Sequence, residues 1–454
     1  VLRTRSFPAA AATLTATALL LTACGGGSTS DSGSSSGSPK TVTQAEFDKA
    51  MSTPTNLTFW TWVPDIDKEI ALFEKKYPAI KVKAVNIGSS TDQYKAMRTS
   101  LRAGKGAPDV AQVEYQFLSS FTLTKNLLDL SPYHGINAMK SEFPSWVWNQ
   151  VSADGAVYAV PQDTAPMGMI YRNDILAKYG IKTPTTWDEF ATAAKTLHEK
   201  NPKAYITNLP GSDPGQFVGL LWQNGANPFG FDGKKTVTID LDSPEVTQVV
   251  DYWQKLIQAG EVSTDADFND QWYKGLSSGK YASWLAAAWG RTFLEGAAKT
   301  TSGKWRTTEL PQWNAGDHAT GNWGGSTNAV MNTTKNPIAA AELARYINVE
   351  EEPANLFVTK QQFFPSKTSI LNSSEFADAK SDFYGGQQAN KTFVDASQHV
   401  TTTFGWLPFM DYAYTTFNDT LGKAIADKGD MEAGLKAWQE KLVAYAKQQG
   451  LTVK

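Results

Sequence analysis

The chain has 454 residues, a formal net charge of −3, 41% hydrophobic and 19% charged residues, and one cysteine, Cys24. That charge gives no electrostatic reason to expect nucleic acid or an acidic lipid surface as partner, and a lone cysteine excludes intrachain disulfides. The hydrophobic fraction supports a sizeable globular core, while 15 tryptophans exceed what a core requires, so some are expected where the surface grips something.

Residues 1–23, "VLRTRSFPAAAATLTATALLLTA", place Arg3 and Arg5 ahead of an apolar run from Ala9 to Leu21 and small residues before Cys24. This order describes a secretory signal; a spanning helix needs about 20 apolar residues, and this run is shorter and interrupted by threonines. Leu21-Thr22-Ala23-Cys24 resembles the lipobox of bacterial lipoproteins, which implies a lipidated Cys24 as first residue of the mature chain. Acyl chains contribute about 0.8 kcal/mol per buried methylene, and two or more give stable anchoring. Gly25–Lys40 is almost wholly Gly and Ser; it cannot bury a core and is expected to act as a tether of about 20–25 Å.

After a short helix at Gln44–Met51 the pattern becomes regular. "LTFWTW" at Leu57–Trp62 alternates as a strand, with Trp60 and Trp62 on one face. Pro64-Asp65 opens a helix through Ile66, Ile70, Phe73 and Tyr77, stopped by Pro78. "IKVKAV" at Ile80–Val85 is the next strand, Gln93–Leu101 a helix, and "DVAQVE" at Asp109–Glu114 the third strand. Strand, helix, strand, helix, strand implies a sheet covered on both faces, with ligands outside the carboxyl ends of its strands. Trp60 and Trp62 after the first strand, with Glu114, Tyr115 and Gln116 after the third, are expected to converge on that rim.

A second unit follows "VYAVPQDTAPMGMIYRND", where Pro161 and Pro166 bracket a polar turn suited to a crossing between lobes. Thr186 to Glu189 is a capping box opening a helix towards Lys200. Helices are also expected at Phe217–Asn224, from Ser243-Pro244 to Gly260, at Pro337–Val349 and at Met431–Gln448. "WRTTELPQW" and "STNAVM" read as strands flanking a Gly-rich segment.

Several motifs are decoys. Gly275–Lys280 mimics a phosphate loop one residue short, with Tyr281 where Ser or Thr belongs; a helix end before a strand fits better. Asp265–Asn269 resembles the start of a calcium loop, but Asp270 and Leu276 replace the required Gly and Glu. His134, His198, His318 and His399 lack ligand spacing, and no GxSxG elbow is present. No metal or cofactor is expected.

The segments "AGKGAPDVAQVEYQ", "YAVPQDTAPMGMIYRNDIL" with "PTTWDEF", "GKYASWLAAAWG", and "GNWGGSTNAV" followed by "KNPIAAAELARYIN" resemble, in this order, the bacterial extracellular solute-binding proteins of family 1. These are the carbohydrate-binding, maltose-binding-type subunits of ABC importers, and the likeness runs from about Leu57 to the C-terminus. It implies an α/β, two-lobed periplasmic-binding-protein fold of type II, each lobe a mostly parallel sheet flanked by helices. Hinge crossovers are implied near Pro161–Pro166, near Pro311–Gly321 and just after Phe364. Lobe one then comprises 41–162 and 322–364, and lobe two 163–321 and 365–454.

The sugar-contacting motifs of the family fall on Trp60, Trp62, Glu114, Gln116, Asp163, Thr164, Trp289, Trp323, Gly324 and Gly325, with Trp222 and Trp406 as weaker correspondences. The chemistry agrees: a pyranose stacks its C–H face on an indole and offers its hydroxyl edge to carboxylates and amides, and glycines let backbone N–H groups approach closely. Plainer readings stand beside these. Trp60 and Trp62 also fit a core, Glu114 a solvated edge charge, and Asp163 the chemistry of a turn; Trp253, Trp305 and Trp313 read as core.

The resemblance implies a monomeric receptor, lipid-anchored on the outer face of the cytoplasmic membrane, that closes around a mono- or oligosaccharide and delivers it to ABC permease subunits. The rival is an anchored glycoside-processing enzyme using Glu114 and Asp163. A peptide or polyamine ligand is a third reading, and it would require charged pocket walls in place of indoles.

Overall fold

The computed structural model describes residues 41–88 and 90–454; the expected signal segment 1–23, the lipidation site Cys24 and the linker 24–40 lie outside the described residues. The first elements are α1 (Gln44–Ser52), β1 (Thr55–Trp60), α2 (Asp67–Lys76), β2 (Ile80–Val85), α3 (Thr91–Ala103), β3 (Val110–Glu114) and α4 (Tyr115–Leu123). Thr43 and Glu46 form a reciprocal capping box on α1, which satisfies two N–H groups that a helix start leaves unpaired. Leu57 and Phe59 of β1 and Ile70 and Phe73 of α2 are buried, as alternation by two and by three or four requires. β1 pairs in parallel with both β2 and β3.

The chain reaches the far edge of this sheet at β4 (Val160–Pro161), then leaves it for β5 (Met167–Arg172) of a second sheet. Around β5 come α5 (Trp187–Lys200), α6 (Pro214–Gln223), α7 (Asp270–Ser278), β6 (Ser283–Ala287), α8 (Gly290–Ala297) and β7 (Trp305–Thr308). The chain then returns as β8 (Ser326–Val330), which lies between β3 and β4 and completes the order β2-β1-β3-β8-β4. Next come α9 (Pro337–Val349) and, near the C-terminus, α10 (Met410–Asn418) and α11 (Met431–Gln448).

The second sheet corrects one expectation. β6 and β7 both pair antiparallel to β5, so the mostly parallel sheet expected in the second lobe is antiparallel. The first sheet is mixed, because β8 runs antiparallel to β3 and β4. At α5, Thr186 accepts from the Glu189 N–H, but the Glu189 carboxylate accepts from Thr185, one residue earlier than a reciprocal box requires. The phosphate-loop decoy is a helix end: Gly279 caps α7 in the left-handed region at φ +83° before the chain enters β6.

The passages between the two sheets lie side by side. Asp163 bridges to Pro365, Pro166 to Asn322 and Thr320 to Val400. Trp323 N–H donates to the Ala165 carbonyl at 2.9 Å and Thr164 N–H to the Phe364 carbonyl at 3.1 Å. These bonds bring the Gly-rich segment before β8 against the turn after β4.

Candidate functional site

Outside the carboxyl ends of β1 and β3 lies a cavity of about 470 Å³. A larger one of about 800 Å³ lies between α3, α4, α10 and α11, so volume alone does not select the site. What sets the smaller cavity apart is its position at the strand ends and its lining, in which eight residues are aromatic.

The first sheet contributes Trp62, Glu114 and Gln116. β1 ends at Trp60 because the next two groups turn inward: the Thr61 hydroxyl and the Trp62 N–H both donate to the Gln112 side-chain oxygen, at 2.8 and 3.1 Å. Trp62 therefore stands beyond the strand, half-buried, with its ring edge-on to Tyr94 at 6.3 Å. Glu114, the last residue of β3, is held from three sides. Its carboxylate accepts from Ser90 Oγ at 2.6 Å, Tyr94 OH at 3.1 Å and Gln116 Nε2 at 3.2 Å. Burial raises its pKa above the ordinary carboxylate value, opposed by those three bonds.

The returning passage contributes Asn322, Trp323, Gly324 and Gly325. Asn322 pins the turn, accepting from Ala165 N–H at 2.9 Å and donating to the Gly324 carbonyl at 2.8 Å. Gly325 sits at φ +88°, and a Cβ there would lie 2.9 Å from both the Asp163 carbonyl oxygen and the Tyr115 ring; only glycine fits. Trp289, the residue before α8, donates its indole N–H to the Trp323 carbonyl at 2.9 Å, and the two rings meet at 4.8 Å and 70°. Trp323 lies against the first turn of α6, where a Cβ on Gly215 would come within 2.6 Å of its indole nitrogen. Trp406 closes another side, its indole N–H bonded to the Gln150 side chain.

Eight of the twelve residues named as ligand contacts therefore line one cavity: Trp62, Glu114, Gln116, Trp289, Trp323, Gly324, Gly325 and Trp406. Four do not. Trp60 ends β1 inside the hydrophobic core, because the strand stops before Trp62 and the two indoles no longer share a face. Trp222 is fully buried, donates to Thr401 Oγ1 at 2.7 Å and stacks on Phe404 at 4.3 Å; it supports Trp406 from behind, edge-on at 6.0 Å. Thr164 is buried and donates to the Pro365 carbonyl at 3.3 Å, joining two passages. Asp163 accepts the Ser326 N–H at 2.9 Å and sits behind Gly325; burial pushes its pKa up to about 7.

Sequence reasoning missed Asp213, Phe268, Phe293 and Tyr414, which also line the cavity. Asp213 caps α6, accepting the Gln216 N–H at 3.1 Å, and the run Asp213-Pro214 carries the signal for it. Its carboxyl lies beside that of Asp267, and burial pushes it up to about 6. Two carboxyls buried side by side favour one keeping its proton, and burial beside Asp213 pushes Asp267 up to about 8. Asp265, the first residue of the calcium-loop decoy, is bonded instead to Lys280 and Tyr281. No lysine, arginine or histidine appears among the described residues lining the cavity.

A pocket of rings with two acids and amides, built where two sheets meet and open to solvent, is the site of a two-lobed α/β receptor. The bacterial extracellular solute-binding protein family matches residues 60–352, and the chain belongs to that family. A binding protein associated with an ABC transporter of B. animalis subsp. lactis, solved with β-1,6-galactobiose, is 32% identical, with 88% of this chain and 99% of that one covered and a TM-score of 0.75. The galacto-N-biose-/lacto-N-biose I-binding protein of Bifidobacterium longum is 26% identical, covering 88% and 98%, with a TM-score of 0.76. The arabinooligosaccharide-binding protein of Halalkalibacterium halodurans is 24% identical over 87% of this chain and 90% of its own length. The chain is accordingly a binding protein and not an enzyme.

Proposed function

We propose that this chain is the sugar-binding receptor of an ABC importer and that the cavity outside β1 and β3 takes a short oligosaccharide, with Trp62, Trp289, Trp323 and Trp406 as stacking faces. Glu114, Gln116 and Asp213 address the hydroxyl edges. The observation that carries this reading is the meeting, in one cavity, of indoles from both sheets with a carboxylate already held by three donors. Preorganised acceptors lose little on binding, and flat rings match the apolar face of a pyranose. The galactobiose, lacto-N-biose and arabinooligosaccharide named for its relatives support the sugar class.

In this reading lobe one comprises 41–162 and 322–364, and lobe two 163–321 and 365–454. The ligand touches both lobes only when they are closed, so it shifts the population toward the closed form, which the permease reads. Cys24 carries the lipid, residues 24–40 span the distance from the membrane, and the receptor works as a monomer. Calorimetry with β-1,6-galactobiose, lacto-N-biose, lactose and arabino-oligosaccharides tests the reading. Saturable binding with the sugar recovered uncut is expected; no binding to any of them, or cleavage, overturns it.

A further inference from the structure

Among the described residues three large apolar side chains stand exposed: Ile87 at 36%, Phe268 at 42% and Phe293 at 53%. Exposed apolar residues scattered singly need no explanation, but the two phenylalanines are gathered at one cavity. Phe268 and Phe293 both line the cavity, and Ile87 does not.

The rings form a series graded from inside to outside. Trp323 is 7% exposed, Trp289 half-buried, and the two phenylalanines the most open. Phe268 lies 5.9 Å from Trp289 and 6.2 Å from Trp323, and Phe293 lies 5.5 Å from Trp289. An unbroken aromatic surface therefore runs from the buried end of the cavity into solvent. Phe268 is also held in an unfavourable backbone conformation, φ +53°, which a residue with a Cβ adopts only where its surroundings impose it. Asn269 follows Phe268 as the cap of α7, donating to the Ala266 carbonyl at 2.8 Å and accepting the Trp272 N–H at 3.0 Å. The turn is built to display a phenyl ring at the mouth.

A cavity of about 470 Å³ is of the size that encloses most of a small ligand, here a disaccharide. Building on the sugar reading of the cavity, we propose that Phe268 and Phe293 are an outer stacking platform for a further sugar unit that projects from the mouth, so that the receptor selects trisaccharides and longer chains over disaccharides. The outer platform is continuous with the inner one, so the occupant that covers it is the protruding end of the same ligand. A phenyl face suits the C–H face of a pyranose or furanose.

The test is calorimetry on the full chain with di-, tri- and tetrasaccharides of the β-1,6-galactan and arabinan series, comparing wild type, Phe293→Ala and Phe293→Tyr. Wild type is expected to bind the trisaccharide about fivefold or more tightly than the disaccharide, as an added ring contact would give. In Phe293→Ala the ratio falls to within about twofold, and in Phe293→Tyr it is retained, with melting temperatures alike because the side chain is exposed. Equal wild-type affinity for both lengths, or a Phe293→Ala loss that is uniform across lengths, overturns the outer platform and leaves the inner site standing. Absence of binding by every member of both series overturns the sugar reading and the platform with it.

Discussion

Trp289 donates its indole N–H to the backbone carbonyl of Trp323 at 2.9 Å while their rings meet at 4.8 Å, so a helix start in one sheet's territory fixes the turn that leads into the other sheet. Each ring sets the orientation of the other, and both face the cavity. Truncating Trp323 to alanine removes the more buried ring and one face against which Trp289 packs, while the Trp289 bond to the residue 323 carbonyl remains. Ligand affinity is expected to fall at least about tenfold, from a loss of about 1.5–3 kcal/mol of ring contact. The cavity is already open to solvent, so the folded state persists with a modestly lower Tm. Calorimetry and thermal unfolding on the same sample check both; unchanged affinity removes Trp323 from the site.

Glu114 is predicted to serve the ligand more than the fold. Its carboxylate is desolvated, which opposes ionisation, and three donors hold it in place. Glu114→Gln keeps the shape, removes the charge and replaces one acceptor by a donor. A hydrogen bond to a charged group is worth about 1.5–3 kcal/mol, so affinity should drop about tenfold or more. Tm at neutral pH should hold or rise, since a buried charge is gone. A fall in Tm with affinity intact assigns Glu114 to structure.

The sequence carries the first sheet well because each strand there is bounded by a local signal: Ile80–Val85 follows Pro78, and β3 follows Gly106 and Pro108. It misplaces the end of β1 because the terminator is Gln112, a side chain some fifty residues away that takes the Thr61 and Trp62 donors. That one bond decides that Trp62 enters the cavity and Trp60 the core. The direction of β6 and β7 is equally non-local, since each pairs with β5 across more than a hundred residues and nothing in a short apolar run states its partner. Phe268 and Asp267 hide inside an acidic stretch that reads as a failed metal loop, and their role emerges only once the fold brings Phe268 to the cavity wall and Asp267 beside Asp213.

Gly325 is predicted to be irreplaceable for both fold and binding. At φ +88° any side chain is strained, and the added carbon would meet the Asp163 carbonyl and the Tyr115 ring at 2.9 Å, neither of which can retreat, because Tyr115 OH is itself bonded to the Asp163 carbonyl at 3.2 Å. Gly325→Ala is expected to destabilise by about 2 kcal/mol or more and to displace Trp323, which precedes the clash by two residues through Gly324. Urea unfolding and ligand titration should therefore both move. Wild-type stability in the variant would show that the turn relaxes freely.

Several buried acids make stability depend on pH in a direction opposite to that of an ordinary ion-paired protein. Burial raises Asp163 and Glu69 to about 7, and burial beside Asp213 raises Asp267 to about 8. Their unfolded values lie near 4, so between about pH 4 and 8 the folded chain holds more protons than the unfolded one, and stability falls as pH rises through that window. Acids held low by cations or amides, such as Glu350 beside Arg345 and Asp265 beside Lys280, act in the opposite sense and only below about pH 4. Tm is thus expected to be higher at pH 5.5 than at pH 8.5. Asp267→Asn places a neutral amide beside Asp213 and removes the titration with almost no change of shape. The variant should match wild type at pH 5.5, where Asp267 is already protonated, and exceed it at pH 8.5, where the wild-type pair carries two negative charges. Parallel Tm profiles for the two proteins would show that Asp213 and Asp267 do not share a proton.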